Sequence, residues 1–455
     1  MIDLIKREIG DLRSDFCDVR FEFYEATRIV VSESGVEEAS LNSSSGGAVR
    51  VLSNGGLAFS SFNSFEKLED ILKSTQSSAN ILGLKSKIDV AKFSPIVDKV
   101  STKYSIDPFS VSLEEKINLC NSYAKILKSN SKIRSIRVRY LDFRKKKYYV
   151  NSEGSEIEME FTYSGISFLA YAVDGSNVQR SAESIARYGG FEVVNDLYVL
   201  AEEVSKRAVD LLHADQVQGG RYNVIIDPKL AGVFAHEAFG HLSEADHIYT
   251  NPKLAEVMRV GRKFGPDFLN IIDDGSIEGV VGYTPYDDEG IPSSRTYLVK
   301  NGMINARLHS RITSKVMNEP LSGNARAISY EYPPIVRMTN TFIDNGDTPL
   351  ENLFEMLGDG IYVVDFIGGQ TNLEMFTFSS AYGYEVKNGK RTRLLRDITL
   401  TGNIFETLNN IVAIGNDLKI HSTMGGCGKS NQSPLPVGDG GPHILVKNVL
   451  VGGKS

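Results

Sequence analysis

A chain of 455 residues with 41% hydrophobic and 24% charged residues, 14 prolines and no tryptophan has the composition of a folded protein of two or more domains, not a disordered or fibrous one. Its formal charge of -7, without a long run of Lys or Arg, argues against nucleic acid as a partner, because that binding needs cations set against phosphates. No stretch approaches 18 apolar residues, so no membrane-spanning helix is expected, and three cysteines in so long a chain point to a reducing interior.

The N-terminal segment MIDLIKREIGDLRSD lacks the apolar centre of a signal peptide, which with the cysteine count predicts a cytoplasmic protein. Residues 1–14 read as a short amphipathic helix. From Asp18 to about Phe62, alternation in VRFEFYEATRIVV, GGAVRVL and GGLAFSSF, broken at Ser44-Ser45-Gly46-Gly47 and Asn54-Gly55-Gly56, predicts antiparallel strands joined by tight turns. Two helices follow, SFEKLEDILKSTQSSANIL and SLEEKINLCNSYAKILKS, the second N-capped by Ser112. Cys120 falls on its apolar side and, like Cys17, reads as a small buried hydrophobe. Strands resume at IRSIRVRYLDF, KKYYVNSEGSEIEMEFTY and SGISFLAYAVDG, with Asn151 to Gly154 as a turn. The basic cluster DFRKKKYY (142–149) reads as the solvated face of a strand. A helix from about Val194 to His213 closes an N-terminal α+β domain, residues 1–217, and Gln218-Gly219-Gly220 marks the boundary.

The second domain, residues 221–455, opens with a strand, RYNVIIDP, and a helix, KLAGVFAHEAFGHLSEA, started by Asp227 as N-cap and Pro228 at the first helical position. Beyond Tyr249 the chain is rich in glycine and strand-like to its end, with hairpin signals such as Lys387-Asn388-Gly389. The expected fold class is therefore α+β, with a C-terminal, mostly antiparallel β barrel or sandwich carrying one helix of consequence.

That helix contains His236-Glu237-Ala238-Phe239-Gly240-His241. A zinc peptidase helix reads H-E-x-x-H, which puts two histidines on one face with a catalytic glutamate beside the first. Here the second histidine arrives one residue late, and residues five apart on a regular helix are splayed by about 140°, against about 40° for a spacing of four. One extra residue accommodated as a π-bulge removes about 100° of that splay, and Gly240 is a place where the backbone distorts easily. A catalytic zinc also needs a third protein ligand and an open position. Glu244, Asp246, His247, His309, His421, Cys427 and His443 are the candidates, Cys427 standing in the glycine-rich MGGCGKS.

The combination of HEAFGH with the tail GNDLKIHSTMGGCGKSNQSPLPVGDGGPHILVKNVLVGG resembles the TldD/PmbA family of metallopeptidases, and within it the metal-bearing TldD type of subunit. YDDEG (286–290), VRMTNTF (336–342), GGQ (368–370), GGAVRVLSNGGLAFS and YVNSEGSEI extend the likeness over nearly the whole chain. The resemblance implies one zinc per active subunit, held by His236, His241 and Cys427, with Glu237 as the general base that activates the zinc-bound water. It also implies a dimer, with a PmbA (TldE)-like subunit or a second copy, enclosing the site in a chamber that admits peptides or unfolded protein segments. Where the family commonly has Gly-Leu-Glu-Gly-Asp after the second histidine, this chain has Leu242-Ser243-Glu244-Ala245-Asp246, which keeps both acids and loses both glycines. Glu244, three residues after His241, is placed to orient that ligand.

Other motifs read as bland. Gly428-Lys429-Ser430 lacks the upstream glycine of a phosphate loop, since position 423 is threonine. Asp273-Asp274-Gly275 and Asp287-Asp288-Glu289-Gly290 lack the acid spacing of a calcium loop and read as turns. His213, His247, His309 and His443 read as helix-end, loop or surface histidines. Two functions fit: a zinc-dependent peptidase gripping a substrate main chain along a glycine-rich strand edge, or a non-enzymatic scaffold with a four-ligand structural metal.

Overall fold

The alternating pattern of the first 190 residues makes long strands. In the computed structural model, which describes residues 1–85, 87–372 and 374–453, strands Phe16–Ser32, Gly35–Ser53, Ile133–Asn151 and Glu156–Asp174 hold 17, 19, 19 and 19 residues. At about 3.3 Å per residue the longest span roughly 60 Å. They run side by side in a seven-stranded sheet in the order Gly56–Phe62, Gly35–Ser53, Phe16–Ser32, Ile133–Asn151, Glu156–Asp174, with Val97–Ser101 and Asn177–Tyr188 both on the last of these. Among the described residues of this sheet, only Val97–Ser101 pairs in parallel. The separate strands expected over 133–143 and from 146 to the turn at Asn151 are one, because the lysine-rich stretch between them keeps its cross-strand partners on both sides. The turn expected after Asn151 is present, the Asn151 carboxamide oxygen accepting Glu153 N and Ser155 N.

Helices Leu113–Leu127 and Tyr198–Asp210 cover part of this sheet over a core containing Val138, Tyr140, Phe168 and Cys120. Ser112 and Glu115 form a reciprocal capping box at the start of the first. A second core, with Cys17, Val19 and Val51, lies under helices Ile2–Gly10 and Leu68–Leu82.

The basic cluster at 142–149 is not a solvated face. Lys145 pairs with Glu22 at 2.8 Å, Lys147 with Asp288, and Arg144 with Asp107 at 2.8 Å. Its acidic partners lie on a neighbouring strand, at the N-cap of a short 3-10 helix and in the second half of the chain, which local patterning does not reveal. The Asp287-Asp288-Glu289 run is likewise more than a turn. Asp287 accepts the backbone N–H groups of Glu289, Ile291 and Ala325, and Glu289 pairs with Arg50 at 2.5 Å. Asp288 meets Arg20 and Lys147, so two of the three acids tie the long sheet to the second half.

The second half is built on two sheets. A ten-stranded sheet contains Gly220–Ile226, Gly360–Val364, Tyr382–Lys387 and Ile444–Gly452, and a six-stranded sheet contains Ile271–Asp274, Asn340–Ile343, Gly438–Gly441 and Lys419–Ser422. Pairing is mostly antiparallel, with parallel exceptions such as Gly220–Ile226 beside Gly360–Val364. Helix Pro228–Ala235 lies between them with seven of its eight residues buried. It packs closely on the glycine-rich strand: a Cβ on Gly232 would come within 2.3 Å of Gly440 N. On the other side Phe234 meets Phe376 and Phe378 edge-on, at 5.3 and 6.1 Å. Among the described residues no helix is long and apolar enough to cross a membrane.

Candidate metal centre

Asp227 caps the buried helix through Leu230 N at 3.0 Å, and Pro228 occupies its first position, as the sequence suggests. Regular α-helix ends at Ala235. His236–Gly240 then form a single π turn, and His241–Ser243 a 3-10 turn closed by Ser243 Oγ donating to Phe239 O at 2.8 Å. The wide turn absorbs the extra residue and turns both imidazoles to one side, with ring centroids 5.2 Å apart and planes at 89°. This is the bulge that the spacing requires.

Gly240 does not serve it as expected. Its backbone has ordinary right-handed helical angles, φ -57° and ψ -56°. Its lack of a side chain matters for packing instead, because a Cβ there would lie 1.9 Å from Met338 Sδ.

Cys427 is the third member. It begins the strand Cys427–Lys429, hairpinned with Gln432–Leu435, and its Sγ lies 3.4 Å from His241 Nε2. The ligating atoms of His236, His241 and Cys427 all lie within 4.8 Å of one another. Two buried arginines hold the hairpin. Arg337 donates to Cys427 O at 2.7 Å and Gln432 O at 3.1 Å, and Arg326 donates to Met338 O and Pro436 O at 2.6 and 2.9 Å.

Glu244 is fully buried, and its Oε2 lies 3.1 Å from His241 Nδ1 and 3.1 Å from Lys429 Nζ. Lys429 also reaches Asp246 Oδ1 at 2.6 Å and Val336 O at 2.9 Å. A chain of contacts therefore runs from His241 through Glu244 and Lys429 to Asp246. Lys429 is a functional candidate that the sequence reading passed over, having weighed it only as part of a phosphate loop. Its position two residues beyond Cys427 on a strand puts both on one face, a signal that was legible.

Of the other candidate ligands, His309 and His443 lie in loops, one of the places expected for them, and both are buried. A buried imidazole needs partners, and His309 has Thr313 and Glu319, while His443 has Asp417 and Tyr362. His247 is half exposed and 3.9 Å from Glu244. His421 lies on the strand Lys419–Ser422, in register with Asp439.

Charge in the centre favours a thiolate. Burial alone would raise the Cys427 thiol, but the imidazoles of His236 and His241 outweigh it and bring it down to about 5. Burial would lower His241, yet the Cys427 and Glu244 hydrogen bonds raise it to about 10. Burial raises Asp439, near His236 and Glu237, to about 6. Glu237 is partly exposed and lines, with His241, Leu242, His247, Asn251 and Thr371, an open cleft of about 610 Å³.

Two imidazoles and a thiolate, converging from a helix and a distant hairpin with a buried, unpartnered Nδ1 on His236, form a donor set that suits zinc. Three such side chains beside an open cleft would leave a fourth position of a bound ion free.

Known proteins share this chain's sequence and fold. Family models for the PmbA/TldA metallopeptidase domain 1, central domain and C-terminal domain match residues 17–81, 106–212 and 219–453. The chain belongs to the PmbA/TldD metallopeptidase family. It is 41% identical to a metalloprotease of Synechocystis sp., over 97% of this chain and 95% of that one. It is 32% identical to the zinc metalloprotease TldD homolog of Saccharolobus solfataricus, over 98% of each. The fold is shared with TldE from Thermococcus kodakarensis, with a TM-score of 0.75 at 16% identity over 99% of both chains. A Thermotoga maritima crystal structure aligns with a TM-score of 0.78 at 17% identity, again over 99% of both. The PmbA/TldD relatives make this chain a metallopeptidase.

Proposed function

We propose that this protein is a zinc-dependent peptidase that hydrolyses peptides or unfolded protein segments, with His236, His241 and Cys427 as ligands and Glu237 as general base. The observation that carries this reading is the convergence of those three side chains within 4.8 Å, next to Glu237 on the wall of an open cleft. His236, His241 and Cys427 would hold the ion, and a zinc bound there would supply Lewis-acid polarisation of the scissile carbonyl and of the water. Glu237 takes the proton from the attacking water and delivers it to the departing amine. Glu244 holds His241 by Nδ1, which leaves Nε2 facing Cys427. Lys429 and Asp246 keep Glu244 in place. The name of the Saccharolobus relative supports zinc as the metal.

The scaffold alternative needs a fourth protein ligand. Glu244 commits its Oε2 to His241 and Lys429, and none of Glu244, His247 and His421 belongs to the cluster of three. The break at Gln218–Gly220 is taken as the domain boundary. A dimer with a PmbA- or TldE-like chain, or with a second copy, completes the chamber, a reading supported by the fold shared with TldE. Three unpaired, buried cysteines support a cytoplasmic setting.

Elemental analysis of the purified protein and of the Cys427→Ala and His241→Ala variants tests the site, alongside hydrolysis of an unfolded protein substrate. One zinc per chain, lost in both variants together with hydrolysis, is expected. Zinc that survives both substitutions would overturn the ligand assignment.

A further inference from the structure

A second cleft, of about 420 Å³, opens between the long sheet and the second half of the chain. Its sheet-side wall is aromatic: Phe143, Phe161, Tyr163 and Tyr188 lie together, with Phe143 stacked on Tyr163 at 4.4 Å. The opposite wall is Pro434-Leu435-Pro436, and Leu435 is the residue paired with Cys427 across the hairpin. The cleft and the metal centre therefore share one hairpin.

The charges that line it do not cancel. Lys145 is paired with Glu22 at 2.8 Å, and Lys147 with Asp288. Arg326, only 6% exposed, lines the same cleft and, among the described residues, has no carboxylate within salt-bridge distance. Its hydrogen bonds go to two backbone carbonyls, Met338 O and Pro436 O. A guanidinium has five N–H donors, so three stay uncommitted. Burying a guanidinium without a counter-charge is costly, and burial does pull this one below its usual pKa. The cleft thus presents one net positive charge at the edge of an aromatic surface.

We propose that this cleft is a subsite for the C-terminal carboxylate of a peptide whose last side chain is aromatic or large and aliphatic, with Arg326 as the carboxylate anchor. A planar guanidinium matches a carboxylate geometrically, and a single negative charge matches the lining. A doubly charged phosphate would add repulsion from Glu22 and Asp288. The adjoining rings take up the last side chain, for which offset or edge-on contacts between aromatic groups are favourable. The assignment of that carboxylate to a peptide rests on the peptidase reading above.

The test is binding, measured by calorimetry on the full-length Glu237→Gln protein, of an N-acetylated tripeptide ending in phenylalanine, as free acid and as C-terminal amide. The acid is expected to bind at least about tenfold more tightly, a difference of about 1.4 kcal/mol. Arg326→Gln removes the difference by weakening the acid alone, and Arg326→Lys, which keeps the charge without the fork, retains part of it. Equal binding of acid and amide to the parent protein overturns the proposal without any Arg326 variant having to fold. So does an Arg326→Gln protein that keeps the full preference for the acid. Because no turnover is needed, a protein that prefers the acid but hydrolyses nothing would end the peptidase reading and keep this site. A peptidase that binds and cuts acid and amide alike would do the reverse.

Discussion

Glu244→Gln separates two duties of one buried carboxylate. The substitution keeps the side chain's size and removes a charge whose Oε2 lies 3.1 Å from both His241 Nδ1 and Lys429 Nζ. Loss of an outer partner of a ligating histidine lowers metal affinity about 10- to 100-fold, or about 1.4–2.8 kcal/mol. The effect on folding should be smaller than the about 3–5 kcal/mol typical of a stranded buried charge, since Lys429 keeps Asp246 at 2.6 Å and Val336 O at 2.9 Å. About 1–2 kcal/mol is expected, the scale of one weakened charged hydrogen bond. Lys429→Met is the harsher change, because it leaves the fully buried Glu244 carboxylate with His241 as its one close partner. The double variant should be less destabilised than the sum of the two single ones, because both charges leave together. Competition for zinc with a chromogenic chelator gives the affinity, and thermal unfolding of the four proteins gives the coupling. A zinc affinity within about twofold of the parent in Glu244→Gln would refute the idea that Glu244 acts through His241.

Three further outcomes are expected. Glu237→Gln keeps its zinc but loses peptide hydrolysis by about 100-fold or more; full activity with metal in place would remove Glu237 from the chemistry. Gly240→Ala drives a methyl group into Met338 Sδ and should cost about 1–3 kcal/mol, partly recovered by Met338→Ala in a double variant followed by thermal unfolding. Burial raises the Asp288 carboxyl, but Lys147 and Arg20 outweigh it and hold it well below the usual carboxylate range. A depressed folded pKa stabilises above the unfolded value near about 3.9 and is lost as pH falls through the folded one. Asp288→Asn should therefore lower stability at pH 7 by about 3 kcal/mol, with the gap from the parent narrowing only below about pH 4. An undiminished gap at pH 3 would contradict this account.

Much of the centre is legible before any coordinates, because its chemistry is local. The late histidine demands a wide helical turn, and one is present from His236 to Gly240. The N-cap at Asp227 and the hairpin turn after Asn151 follow from side chains acting on their own backbone neighbours. What escaped depends on distant partners. The three acids at 287–289 look like a turn until Arg50, Arg20 and Lys147 are set against two of them, and the basic run at 142–149 looks solvated for the same reason. Gly240 invites a conformational explanation, yet the atom it avoids belongs to Met338 on another segment. His309 and His443 carry no local mark of burial, and their partners lie in other parts of the fold or around a turn. The tail cysteine was assigned through family resemblance, since flanking glycines alone do not single it out from the other candidate ligands.

The π turn joins two parts of the helix that are each pinned from outside. Gly232 rests against the backbone of Gly440 upstream, and downstream Glu244 is gripped by Lys429. The one extra residue between those anchors is therefore housed in the turn and in neither flanking segment. Deleting Ala238 or Phe239 would restore the familiar H-E-x-x-H spelling, and a regular α turn in place of the π turn would again leave the two imidazoles splayed by about 40°. The loss of a single residue between the histidines is therefore absorbed in the turn itself, without disturbing the anchors on either side.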